Sequence, residues 1–185
     1  MYAAAAKEIA NTHVFLTGDV QIGKSTAIRR AIAQLGRPVY GFRTFFTDRE
    51  SAEKSLYMLP AAAERAPGQE DAVAVFSGGR PTPLTARFDA LGASLLRAAQ
   101  AHPEGLILMD ECGRFEREAY AFQREIARCL DGDIPVLGGV RQGVLGWTEL
   151  IRSHPRVTLL TVTAENRDAM PQTIAALIAK GDSHA

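Results

Sequence analysis

The run Gly18-Asp19-Val20-Gln21-Ile22-Gly23-Lys24-Ser25 constrains this chain more than any other stretch, because it fits G-x-x-x-x-G-K-[ST] at every fixed position. Chance would place that pattern in a chain this long well under ~1% of the time. Its setting is the one the pattern requires. His13-Val14-Phe15-Leu16-Thr17 reads as a short buried strand before it, and Ser25 to Leu35 carries Ile28, Ile32 and Leu35 at helical spacing after it, closed by Gly36. Glycines let such a loop fold tightly, so that successive N–H groups point inward at phosphate oxygens, and the helix N-terminus adds its partial positive charge. Gly18, Asp19, Val20, Gln21, Ile22, Gly23, Lys24, Ser25 and Thr26 are therefore the candidate phosphate-binding residues. Lys24 is expected to reach the β- and γ-phosphates and the Ser25 hydroxyl to ligate Mg2+. The competing reading is a glycine-rich turn that only happens to precede a helix.

The rest of the chain alternates strands and helices. Pro38 to Phe42 is expected as a second strand, Gly105 to Met109 as a central strand buried on both faces, and Pro135 to Val140 and Val157 to Val162 as two more. Helices are expected at Thr85 to Ala101, Tyr120 to Leu130, Trp147 to Ser153 and Ala164 to Lys180. Between about residues 44 and 85 the character changes. The β-like runs Ser55 to Leu59 and Ala72 to Phe76, with a turn at Gly78-Gly79-Arg80-Pro81, predict an antiparallel hairpin inserted into a mostly parallel α/β chain. One domain spanning residues 1–185 is expected from the length.

Asp110 and Glu111 follow the apolar run Leu106 to Met109 directly. Ligands of parallel α/β sheets bind at the carboxyl ends of strands, so these carboxylates should face the phosphate loop. Asp110 is the expected magnesium partner, and Glu111 is placed to activate an attacking water. The alternative is that the pair merely caps the next helix. Arg141 is a candidate arginine finger or a solvated surface residue, Glu116 a partner of Arg114, an acid that helps arrange the water or a helix surface charge, and Trp147 a packing residue at a helix start rather than a base-stacking platform.

The 21 basic and 21 acidic residues cancel, and no basic stripe appears, so a nucleic-acid partner is not expected. Cys112 and Cys129 lack CxxC or Cys/His spacing and fall in or beside apolar stretches. Buried reduced thiols in a cytoplasmic setting are expected. No run reaches the ~18–20 apolar residues of a membrane span, and Met1 to Ala10 reads as a short helix or frayed end rather than a signal peptide.

Asp110-Glu111-Cys112-Gly113-Arg114-Phe115-Glu116 resembles the D-E-[I]-G-[K]-M-E signature of a small P-loop family, the nucleoside-triphosphatases of the thermophile type, relatives of the human cancer-related nucleoside-triphosphatase. Gly41-Phe42-Arg43-Thr44 resembles the family's G-F-x-T, Pro135-Val136-Leu137 its strand after the acidic motif, and Thr163-Ala164-Glu165-Asn166-Arg167-Asp168 its T-x-E-N-R-D segment. The resemblance implies a RecA-like three-layer α/β sandwich and slow, Mg2+-dependent hydrolysis of ATP, GTP and other nucleoside triphosphates. It assigns Lys24, Ser25, Asp110 and Glu111 the roles argued above and puts Asn166 and Arg167 near the base. The same segment also reads as a helix start capped by Thr163. Departures fall on the hairpin side: Arg114 and Phe115 replace lysine and methionine, and Phe45-Phe46 stands where the family carries a glutamate.

Two other functions use the same phosphate loop. A small-molecule kinase would need an arginine-rich lid, and Arg49, Arg65 and Arg80 are dispersed. A nucleotide-gated adaptor would need a protein partner, which the sequence does not identify.

Overall fold

The computed structural model describes residues 13–143 and 146–182. The segment Met1 to Ala10 lies outside them. Among the described residues no helix is long and apolar enough to cross a membrane.

Five strands form the parallel part of one sheet, in the order β2 (Val39–Phe46), β6 (Leu106–Cys112), β7 (Val136–Val140), β1 (His13–Thr17) and β8 (Val157–Thr161). The expected hairpin is instead a three-stranded antiparallel extension of that sheet. β3 (Lys54–Pro60), β4 (Ala72–Ser77) and β5 (Arg80–Pro83) continue outward from β2. β2 runs to Phe46 rather than ending at Phe42, because its last residues pair with β3: Phe45 faces Tyr57 and Phe46 faces Leu56. The turn is confined to Gly78-Gly79, and Arg80 and Pro81 already belong to β5.

The continuous apolar strands divide residue by residue between the two faces. Val14, Leu16, Leu106, Leu108 and Leu137 pack with α1 (Lys24–Leu35) and α6 (Met170–Asp182) through Ile28, Ile174 and Ile178. Phe15, Ile107, Met109 and Val136 pack on the other face with α3 (Ala93–Ala99) and α4 (Tyr120–Asp131) through Leu96, Phe122 and Ile126. That period of two across a doubly covered sheet is what a three-layer α/β sandwich requires.

Three local departures have physical causes. The expected helix from Thr85 is split into α2 (Thr85–Arg87), a π-helical stretch (Phe88–Gly92) and α3. There α4 docks closely: a Cβ on Gly92 would lie 2.6 Å from the Phe122 ring, and Asp89 Oδ1 accepts from the Phe122 N–H at 3.0 Å. The last helix starts at Met170, not Ala164, because the Asn166 side chain ties the preceding turn, accepting from Thr163 N–H and donating to Thr161 O, both at 2.9 Å. α5 (Glu149–Arg152) is one turn long.

Two close approaches align the strands behind the site. Gly41, with φ +88°, lies where a Cβ would stand 2.3 Å from Leu108 O, so β2 can reach β6 only without a side chain there. His13 is fully buried and uses both ring nitrogens: Nε2 donates to Leu130 O at 2.9 Å and Nδ1 accepts from Val136 N–H at 3.2 Å. Burial holds its pKa down at about 4.

Candidate active site

The phosphate loop leaves β1 at its carboxyl end and enters α1 through Gly23. Gly18 has φ +134°, and a Cβ there would lie 2.5 Å from Val162 O in the loop after β8. Gln21 (φ +64°) and Gly23 (φ +115°) complete the turn. The first helical hydrogen bond runs from Ala27 N–H to Gly23 O, and no side chain caps the helix, so its opening N–H groups face the loop's hollow. Lys24 folds back across that hollow, donating to Gly18 O and Asp19 O at 3.0 Å each.

β7 is the only strand between β1 and β6, so the acids of β6 come up beside the loop. Ser25 Oγ donates to Asp110 Oδ1 at 3.4 Å, and Lys24 Nζ stands 3.9 Å from Glu111 Oε1. Asp110 and Glu111 are the carboxyl end of β6, and α4 begins only at Tyr120, so they do not cap a helix. Thr44 of β2 fixes the pair: its hydroxyl donates to Asp110 O at 3.1 Å and accepts from Glu111 N–H at 3.2 Å. Burial first, and the Glu111 charge second, push the Asp110 carboxyl up to about 6, against the Ser25 bond and the charges of Lys24 and Arg29. A carboxylate so placed gains from a cation, and the Ser25–Asp110 oxygens are hard donors of the kind Mg2+ takes when phosphate and water supply the rest.

These groups line a cavity of about 590 Å³ together with Thr26, Arg29, Arg141 and the inner edge of the antiparallel extension. Lys24, Arg29 and Arg141 supply it with positive charge, which suits a polyanion. Arg141 lies inside this cavity. Its N–H donates to Cys112 O at 2.9 Å, and Arg152 of α5 donates to its carbonyl at 2.7 Å. Glu116 is not a helix surface charge: it is 2% exposed, accepts from Gly113 N–H at 3.0 Å, and burial raises its carboxyl to about 7. Trp147 donates from Nε1 to Gly113 O at 2.7 Å, and so braces the same turn. Both cysteines are free and buried.

Asn166 and Arg167 do not line that cavity. Arg167 lines a second cavity of about 220 Å³ with Gln21, Ile22, Gly23, Thr26 and Asp168, whereas the Asn166 amide is engaged within its own turn. Sequence reasoning missed Thr44 as the clasp on the acids. Its place in the G-F-x-T segment beside β6 was the available signal.

A family model described as NTPase matches residues 13–175. The chain belongs to this NTPase family. It is similar to the cancer-related nucleoside-triphosphatase homologs of Mus musculus, 27% identical over 90% of this chain and 96% of the relative, and of Bos taurus, 29% identical over 84% and 90%. Among solved structures it resembles the human cancer-related nucleoside triphosphatase, with TM-score 0.65 and 27% identity over 91% of this chain and 97% of the other. It also shares the fold of THEP1 from Aquifex aeolicus, with TM-score 0.71 and 20% identity over 90% and 98%. The P-loop NTPase fold and the nucleoside-triphosphatase activity, NTP and water to NDP and phosphate, follow from this membership.

Proposed function

We propose that this NTPase hydrolyses ATP, GTP and other nucleoside triphosphates slowly and with Mg2+, at the cleft between the phosphate loop and the end of β6. The observation that carries the reading is the convergence of Lys24, Ser25, Asp110 and Glu111, joined by the 3.4 Å Ser25–Asp110 bond and the 3.9 Å Lys24–Glu111 pair. Residues 18–26 cradle the phosphates with their N–H groups, and Lys24 neutralises the β- and γ-phosphates. Ser25 and Asp110 would hold Mg2+, which would offset charge on the phosphate oxygens. Glu111, at the mouth of the strand, orients the attacking water and accepts its proton. Arg167 borders the base from the second cavity. The commitment of the Asn166 amide to its own turn favours broad base tolerance.

The test is phosphate release from ATP, GTP and CTP, with Mg2+ or with chelator, by the wild type and Lys24→Ala. The reading predicts release from all three, at a turnover below the ~10 s⁻¹ typical of enzymes, only with Mg2+. Lys24→Ala is predicted to lose nucleotide binding. Equal release with chelator, or unchanged binding by Lys24→Ala, contradicts it.

A further inference from the structure

The cavity runs on from the phosphate loop to the antiparallel extension. Its far part is walled by Phe46, Phe76 and Phe115 and rimmed by Arg49, Lys54 and Arg114. The rings stand edge to face, 5.4 Å apart for Phe46–Phe76 and 5.8 Å for Phe76–Phe115. Lys54 Nζ lies 5.4 Å from the Phe46 ring centre and 5.5 Å from that of Phe76, and donates to Arg49 O at 2.5 Å. The Arg114 guanidinium stands 4.9 Å from the Phe115 ring centre. Of the three rim cations, Lys54 and Arg114 are therefore placed by rings and backbone, not by acids. Among the described residues none of the three has a carboxylate at ion-pairing distance, whereas Arg65, Arg97, Arg128 and Arg156 each do.

The nucleotide does not account for this part of the cavity. On the reading above its nucleoside lies toward Arg167, in the second cavity lined also by Gln21, Ile22 and Gly23. Resting on the phosphate-loop reading above, we propose that the Phe46–Phe76–Phe115 wall and its Arg49, Lys54 and Arg114 rim bind a second small molecule, a flat aromatic or heteroaromatic ring carrying a phosphate or carboxylate. The ring packs on the partly exposed Phe46 and Phe76, backed by the buried Phe115, where offset and edge contacts are favourable, and the anion meets Lys54 and Arg49.

The experiment is calorimetric titration of the protein saturated with Mg2+ and a non-hydrolysable ATP analogue, using the four ribonucleoside 5′-monophosphates, phenyl phosphate and inorganic phosphate as probes. At least one ring-bearing probe is expected to bind at one site per chain and more tightly than inorganic phosphate. Lys54→Ala is expected to weaken it about tenfold, and Arg49→Ala, at an exposed position where folding is not at stake, in the same direction. Affinity for the ATP analogue should not change in either variant. Absence of binding by every ring-bearing probe, binding no tighter than inorganic phosphate, or unchanged affinity in both variants would overturn the proposal. Failure of the ATP analogue itself to bind would instead overturn the phosphate-loop reading.

Discussion

Asp110 illustrates how position sets the chemistry of a single residue. An aspartate ordinarily titrates near 3.8, and burial beside Glu111 pushes the Asp110 carboxyl up to about 6. The folded protein therefore binds a proton that the unfolded chain has already lost between those values. Stability falls as pH rises through that window, and the full penalty persists above it. Asp110→Asn keeps an oxygen for the Ser25 hydroxyl and removes the charge. Without nucleotide at pH 7.5 it should be more stable than wild type by on the order of 1–3 kcal/mol, a gain that fades toward pH 4. Urea unfolding across pH 4–8 measures it, and a variant equally or less stable at pH 7.5 would refute the assignment. The importance of Asp110 was legible in the sequence because it follows Leu106 to Met109 directly. The burial of Glu116 was not: four charges among the five residues Arg114 to Glu118 read as a surface run, and only the fold turns Glu116 inward onto Gly113 N–H.

At the scale of elements, the pairing of β2 with β6 carries the site. Thr44 can clasp Asp110 and Glu111 only because Gly41, three residues earlier, lets the two strands approach. Gly41→Ala meets both a positive φ and the Leu108 carbonyl, and should cost roughly 3 kcal/mol in urea unfolding. A loss within experimental error would show that β2 and β6 can separate without consequence. The parallel strands were legible because each is a short apolar run of the period that a doubly covered sheet demands. The antiparallel extension was legible only in part. Phe45-Phe46 carries no signal that separates a strand continuing into β3 from a strand that ends. Gly78-Gly79-Arg80-Pro81 likewise reads as a turn whether or not β5 follows. The late start of α6 depends on the Asn166 side chain choosing its local backbone over the helix, which residue spacing does not reveal.

For the whole molecule, two helical layers hold five parallel strands so that the loop after β1 and the acids of β6 open onto one cavity. Binding there is linked to the stability of the entire fold. At a Mg2+–nucleotide concentration about 100-fold above its Kd, stability should rise by about 2.7 kcal/mol. For a chain of this size that raises Tm by roughly 5–10 °C, and Lys24→Ala should show no such shift. Differential scanning calorimetry with and without nucleotide measures both, and a Tm unmoved in the wild type would contradict binding at this cleft. The measurement that bears most directly on the proposed chemistry is single-turnover phosphate release from Mg2+–ATP by the wild type and by Glu111→Gln. The predicted result is nucleotide binding retained by the variant and a hydrolysis rate reduced by about 10²–10⁴-fold. A variant that binds and hydrolyses at the wild-type rate would show that Glu111 does not activate the water.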